Sequence, residues 1–133
     1  MVNTLIVDDI QKWHDVVEKN LFYFGFNGFL HAYNIKEGLV FYQAHKPELV
    51  ITDINFDPSN PSNIQKMTGN LDGLVLCNEI RNQSKDVKIV VMSSIKEAEE
   101  VAKRSGADYF IEKIYFKDQI EDFIRQNYRN VIR

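Results

Sequence analysis

Cysteine is nearly missing from this chain. Cys77 is the single one, so no internal disulfide holds the fold and no cysteine cluster binds a metal. That usage fits a reducing compartment, and Cys77 reads as a core residue within an apolar helical pattern. Prolines number three and glycines six in 133 residues, too few for a collagen-like or low-complexity chain. No apolar run approaches the ~20 residues that a membrane helix needs, and residues 4–7 are too short a stretch for a signal sequence. An excess of one charge is lacking too. Sixteen basic against nineteen acidic side chains leave a formal −3, which gives no footprint for nucleic acid or for a membrane surface. A glycine-rich phosphate loop is also missing, which argues against a bound nucleotide. These absences lead to the expectation of a cytoplasmic protein with no direct nucleic-acid or membrane partner.

What the chain does contain is ordinary globular material. With 44% hydrophobic and 26% charged residues, it can bury one core of normal size. Strand-length apolar runs alternate with longer stretches of helical period, the pattern of an α/β parallel sheet. The runs predict strands at about 3–8, 28–32, 48–53, 87–92 and 108–112. Between them lie predicted helices at 11–24, 35–45, 72–83, 95–105 and 117–128. In the first helix Ile10, Trp13, Val16, Val17, Leu21 and Phe24 recur at three and four and read as core. In the second the stripe is Ile35, Leu39, Val40 and Tyr42, closed by His45-Lys46-Pro47. The charges of helix four read as a solvated face. His14, His31 and His45 have no carboxylate or cysteine at ligand spacing, and structural or surface roles are expected for them.

Residues 55–71 break the rhythm. Pro58, Pro61, Gly69 and four asparagines sit there with little periodicity, and the segment is too long for an ordinary βα loop. It reads as a tolerated insertion or as a lid beside the next feature, with Phe56, Ile64 and Met67 as its candidate anchors.

That feature is a set of polar residues at strand ends. Leu5-Ile6-Val7 runs into Asp8-Asp9, Leu49-Val50-Ile51-Thr52 into Asp53, Ile89-Val90-Val91-Met92 into Ser93, and Tyr109-Phe110-Ile111-Glu112 into Lys113. In an open parallel sheet ligands bind at the carboxyl ends of the strands, so three carboxylates, a hydroxyl and an ammonium converge. Crowded carboxylates disfavour their own ionised forms. A hard divalent cation relieves that repulsion, and Mg²⁺ suits a site of few carboxylates with retained waters. Asp53 then has the chemistry of a nucleophile toward phosphorus, forming an aspartyl phosphate. Lys113 and the metal would neutralise phosphoryl oxygens, and Ser93 would offer a hydroxyl.

These marks, in this order, resemble a response regulator receiver domain, the phosphoacceptor of two-component signalling. Asp72-Gly73-Leu74 resembles the family's opening of its third helix, and Gly106-Ala107-Asp108 its lead into the fifth strand. The resemblance covers residues 3–128, leaving 129–133 as a tail. It implies a (βα)5 flavodoxin-like, doubly wound sheet with strand order 2-1-3-4-5. It also implies a phosphoryl group accepted on Asp53 from the phosphohistidine of a sensor histidine kinase or phosphotransfer protein, or from a small donor. Mg²⁺ would be held by Asp8, Asp9, Asp53 and the backbone carbonyl of Asn55. Ser93 and Phe110 would form the switch, with Tyr109 on the other side of the strand. Output would pass through the face of helix four, strand five and helix five, to a second protein, an output domain or a second copy of the chain. The domain would be no conventional metabolic enzyme, though it would catalyse its own phosphorylation and dephosphorylation.

Two features depart from the family. Asp72 comes nineteen positions after Asp53, well beyond the family's spacing. Ile114 follows Lys113 where the family usually has proline. A cis bond without proline costs roughly 2.5–4 kcal/mol, so either a trans bond with a shifted loop or a strained cis bond is expected. Haloacid-dehalogenase phosphatases use similar groups in the opposite order, with an Asp-x-Asp nucleophile on the first strand. Nucleotide-binding Rossmann and flavodoxin modules need a first loop rich in glycine or hydroxyls, which Val7-Asp8-Asp9-Ile10-Gln11 is not. The alternative of another class is a pseudo-receiver, an interaction module that works without phosphorylation.

Overall fold

The computed structural model describes residues 3–54 and 72–128. The segment 55–71, with Asn55, Phe56, Ile64 and Met67, and the tail 129–133 lie outside the described residues. All five apolar runs are strands: β1 Asn3–Val7, β2 Gly28–Ala32, β3 Leu49–Asp53, β4 Lys88–Ser93 and β5 Tyr109–Glu112. Every strand pair is parallel and the order is β2-β1-β3-β4-β5. This is the doubly wound, flavodoxin-like sheet expected from the sequence. The middle strand β3 is buried along its whole length, which explains its unbroken apolar run.

The helices are α1 Gln11–Tyr23, α2 Ile35–His45, α3 Asp72–Gln83, α4 Glu99–Arg104 and α5 Phe116–Asn127. Strand alternation divides the core into two layers. Leu5, Val7, Val50, Ile89, Val91 and Phe110 pack with α2, α3 and α4 on one face. Ile6, Leu49, Ile51, Val90, Met92 and Ile111 pack with α1 and α5 on the other. Fully burying such a side chain contributes about 1.5–3 kcal/mol, and both layers are complete without help from disulfides.

Local chemistry sets the boundaries. Asn34 caps α2 by accepting from Glu37 N at 2.8 Å, while Glu37 accepts from Tyr33 N, a near relative of the capping box. Lys46 ends α2 in the left-handed region, φ 45°. Helix four is shorter than its periodicity suggested: a 3₁₀ turn, Lys96–Ala98, replaces its first turn. At the opposite end of the sheet from the acidic residues, Arg81 ties three segments together. Its guanidinium donates to the carbonyls of Val87 at 2.8 Å and Gly106 at 2.9 Å, and to Asp108 at 2.7 Å. Asp108 in turn accepts from Ile89 N at 2.8 Å. Gly106 has φ 110°, and a Cβ there would lie 3.0 Å from the Arg81 side chain. The Gly106-Ala107-Asp108 lead into β5 is thus one half of this staple.

Three expectations need correction. Ile10 precedes α1 rather than lining its buried stripe and is 52% exposed; the chain is still extended there, outside the helical period. Val40 points to solvent at 51% exposure because Ile35, Gly38 and Tyr42 occupy the sheet side of α2. Trp13 is half-buried at the rim of the α1–α5 layer rather than inside it, edge-on to Phe116.

Candidate functional site

Strand register assembles the site. Val7 pairs with Thr52, Asp53 with Met92, and Ser93 with Glu112. β3 ends one residue beyond β1 and β4 one beyond β3, while β5 ends level with β4, so Asp8, Asp53, Ser93 and Lys113 line one edge of the sheet. Alternation then sorts them. Asp8, Asp53 and Lys113 share the parity of the layer under α1 and α5. Ser93 and Phe110 share the parity of the layer under α3 and α4.

The first three meet. Lys113 Nζ lies 3.1 Å from Asp8 Oδ2 and 3.5 Å from Asp53 Oδ2, with its side chain 9% exposed. One carboxylate oxygen from each of Asp8, Asp9 and Asp53 lies within 4.8 Å of the others. Asp8 is wholly buried and Asp53 is 6% exposed. Burial pushes the Asp8 carboxyl above the usual carboxylate range, against the pull of Lys113 and the Ile10 amide. One lysine therefore does not compensate this buried acid. Hard oxygen donors at this density, with charge still to be balanced, fit a small divalent cation such as Mg²⁺.

Every polar atom of Asp8 is held. Its amide donates to Ala32 O at 3.1 Å, Oδ1 accepts from Ile10 N at 2.8 Å, and Oδ2 faces Lys113. Its carbonyl lies 2.7 Å from His14 Nε2. Asp53 Oδ1 accepts from Ile54 N at 2.8 Å, which turns the chain sharply as β3 ends. The start of α3 closes against this turn: Gly73 N donates to Ile54 O at 3.0 Å. Asn55, expected to add a carbonyl, lies outside the described residues.

Ser93 is brought to the same edge but is not bonded to the acids. It is 2% exposed, and its Oγ accepts from Ile95 N at 3.0 Å. Phe110 lies inside the α3–α4 layer at 7% exposure, while Tyr109 packs on the other face against Phe123. No peptide bond among the described residues is cis. Lys113–Ile114 is therefore trans, and a 3₁₀ turn, Lys113–Tyr115, carries the chain directly into α5. Ile114 itself is 80% exposed.

Sequence reasoning missed two neighbours of the pocket. The Trp13 ring centroid lies 4.7 Å from Lys113 Nζ, a cation–π contact that walls the lysine in. The histidines also have partners after all. Wholly buried His14 meets His31 Nδ1 to Nδ1 at 2.7 Å, and His31 Nε2 lies 2.7 Å from Glu18. The available signal was His14 and Glu18 four apart on one helix face; that β2 carries His31 past that face is a tertiary fact.

Comparisons with known proteins agree with this architecture. The family model described as the response regulator receiver domain matches residues 4–125. The receiver domain of NtrX from Brucella abortus is 29% identical, with 93% of this chain and 96% of that one covered and a TM-score of 0.76. Against a longer NtrX chain the identity is 28% and the TM-score 0.77; the match takes in 98% of this chain but 27% of that chain's length. The response regulator TrrA from Thermotoga maritima, solved in complex with Mg²⁺-BeF, is 24% identical over 95% of this chain and 98% of that one. At a TM-score of 0.74, it shares the fold. No curated protein matches the chain.

Proposed function

This chain belongs to the response regulator receiver domain family, and from that membership we propose that it is a phosphoacceptor in two-component signalling, with Asp53 as the acceptor. The observation that carries the reading is Lys113, buried between Asp8 and Asp53 at 3.1 and 3.5 Å. An Asp53 oxygen forms the new bond to phosphorus as the donor's bond to phosphorus breaks; the leaving group is the imidazole of a phosphohistidine, which takes a proton from solvent, or the conjugate base of a small phosphodonor. The donor is a histidine kinase, a phosphotransfer protein or a small phosphodonor. Lys113 offers its charge to the phosphoryl oxygens as they leave the donor.

Asp8, Asp9 and Asp53 are the residues that would hold Mg²⁺, with the Asn55 carbonyl as a further candidate. When bound, the ion supplies charge neutralisation for the transferring group. The acid cluster and the raised Asp8 carboxyl support that assignment, as does the Mg²⁺-BeF complex of the similar fold in TrrA. For output, Ser93 Oγ would leave Ile95 N for the phosphoryl group, and the layer it shares with Phe110 would readjust. The face of α4, β5 and α5 is thereby the proposed surface for an output protein, an output domain or a second copy.

The test is intact mass after incubation with acetyl phosphate and Mg²⁺. One phosphoryl adduct is expected, lost in Asp53→Asn and absent under a chelator. No adduct in the unmodified protein would favour a module that works without phosphorylation.

A further inference from the structure

The row of side chains behind Asp8 has no part in the function proposed above. Asp8 O can only accept a hydrogen bond, so His14 Nε2, 2.7 Å away, carries a proton. His14 is wholly buried, and that desolvation lowers its basicity below the usual imidazole range. A ring with its single proton on Nε2 presents Nδ1 as an acceptor. His31 Nδ1, 2.7 Å from it, must then be the donor. On its other side His31 Nε2 lies 2.7 Å from Glu18 Oε1, an acceptor. Three short contacts in a row thus link a half-exposed glutamate, which accepts, to the carbonyl of a buried acid, which also accepts. The Tyr33 ring covers His14 at 4.1 Å between centroids, and Tyr33 is itself tied to Gln11 at 2.8 Å.

We infer that His14 is a positioning residue for the acidic pocket, holding the Asp8 carbonyl through an Nε2–H whose tautomer is fixed from the surface by His31 and Glu18. The peptide between Asp8 and Asp9 is planar, so pinning its oxygen also fixes the plane from which Asp9 departs. Other hydrogen bonds hold the Asp8 amide and carboxylate. The His14 bond removes the remaining rotation of the Asp8–Asp9 turn. Outer partners that orient a metal's ligands typically contribute ten- to hundredfold in affinity. The inference rests on the acids holding Mg²⁺, and the experiment separates the two ideas.

Mg²⁺ affinity is measured by calorimetry on the unphosphorylated chain for the unmodified protein and for His14→Leu, His14→Gln and His31→Ala. The ¹⁵N shifts of His14 are recorded without metal. The expected results are an Nε2-protonated His14 and roughly tenfold weaker Mg²⁺ binding in His14→Leu. Recovery is expected in His14→Gln, whose amide can donate from the same place. His31→Ala should show a His14 tautomer no longer fixed and a few-fold loss, and it serves if His14→Leu fails to fold. A folded His14→Leu that binds Mg²⁺ like the unmodified protein overturns the inference and leaves the proposed function standing. An unmodified protein that binds no Mg²⁺ overturns both.

Discussion

Gly73 sits against Ile54 so closely that a side chain there has nowhere to go. A Cβ on Gly73 would lie 2.7 Å from Ile54 Cα and 2.9 Å from Ile54 O, and closer still to Asp53 O. All three are backbone atoms, so no rotamer change relieves the contact. The first turn of α3 is thereby seated on the peptide that follows the proposed phosphoacceptor. Gly73→Ala should destabilise the protein by about 2 kcal/mol, in the range of overpacked cores. It should also displace the Asp53 peptide. The readouts are the urea midpoint and the rate of adduct formation with acetyl phosphate. A midpoint and a rate both like those of the unmodified protein would show that α3 lifts away freely.

Lys113 bridges Asp8 and Asp53, two of the three carboxylates proposed to hold Mg²⁺. Lys113→Ala should leave Mg²⁺ affinity unchanged or severalfold tighter, measured by calorimetry. Without metal the variant should lose about 3 kcal/mol of stability, because two buried carboxylates lose their ammonium partner. Added Mg²⁺ should restore much of that loss by binding the folded state. A marked drop in Mg²⁺ affinity would place Lys113 in support of the ligands instead of in competition with them.

The proposed switch has a direct spectroscopic test. Beryllofluoride with Mg²⁺ mimics the phosphoryl group, and amide shifts should move at Ser93 and Ile95 and across α4, β5 and α5. Phe110 is already buried, so its ring environment should change less than the Ile95 amide, which loses the Ser93 Oγ acceptor. Ser93→Ala should mute the changes in α4 and β5 while leaving those at Asp53. Shifts confined to the acid pocket count against this coupling.

Cys77 gives a pH prediction. Burial pushes its thiol from 9.0 up to about 12, above its value in an unfolded chain. The folded state thus holds the proton more tightly. The associated stability is complete below pH 9 and is lost as pH rises from 9 through 12. The slope is about 1.4 kcal/mol per pH unit for one group. Comparison of unfolding free energies with Cys77→Ala isolates this contribution: the advantage of the unmodified protein should shrink steadily above pH 9. A constant difference across that range would mean that the thiol titrates alike in both states.

The Arg81 staple should act on stability alone. Arg81→Ala removes charge-assisted bonds to Val87, Gly106 and Asp108, and a loss of about 2 kcal/mol is expected. Mg²⁺ affinity should not change, since these contacts lie at the far end of the sheet. A change in affinity would reveal coupling between the two ends.

Much of this was legible in the chain itself. A strand buried on both faces carries few polar side chains, so Leu49–Thr52 was legible as a buried strand, while its place at the sheet's centre came from the family resemblance. Helical period, caps and breakers placed the helices to within a few residues. Because parallel strands end on one edge, Asp8, Asp53, Ser93 and Lys113 could be gathered from their positions alone. Other features depend on which side of a strand a residue takes and on what a neighbouring element brings past it. Strand parity separates Ser93 from the lysine-bridged acids, a division no spacing in the sequence states. His14 looked idle until β2 carried His31 alongside α1, and Trp13 looked like core until β5 delivered Lys113 beneath its ring. Local patterns record how a segment solves its own hydrogen bonding and burial. Contacts between segments far apart in the chain belong to register and packing, and these only the folded structure decides.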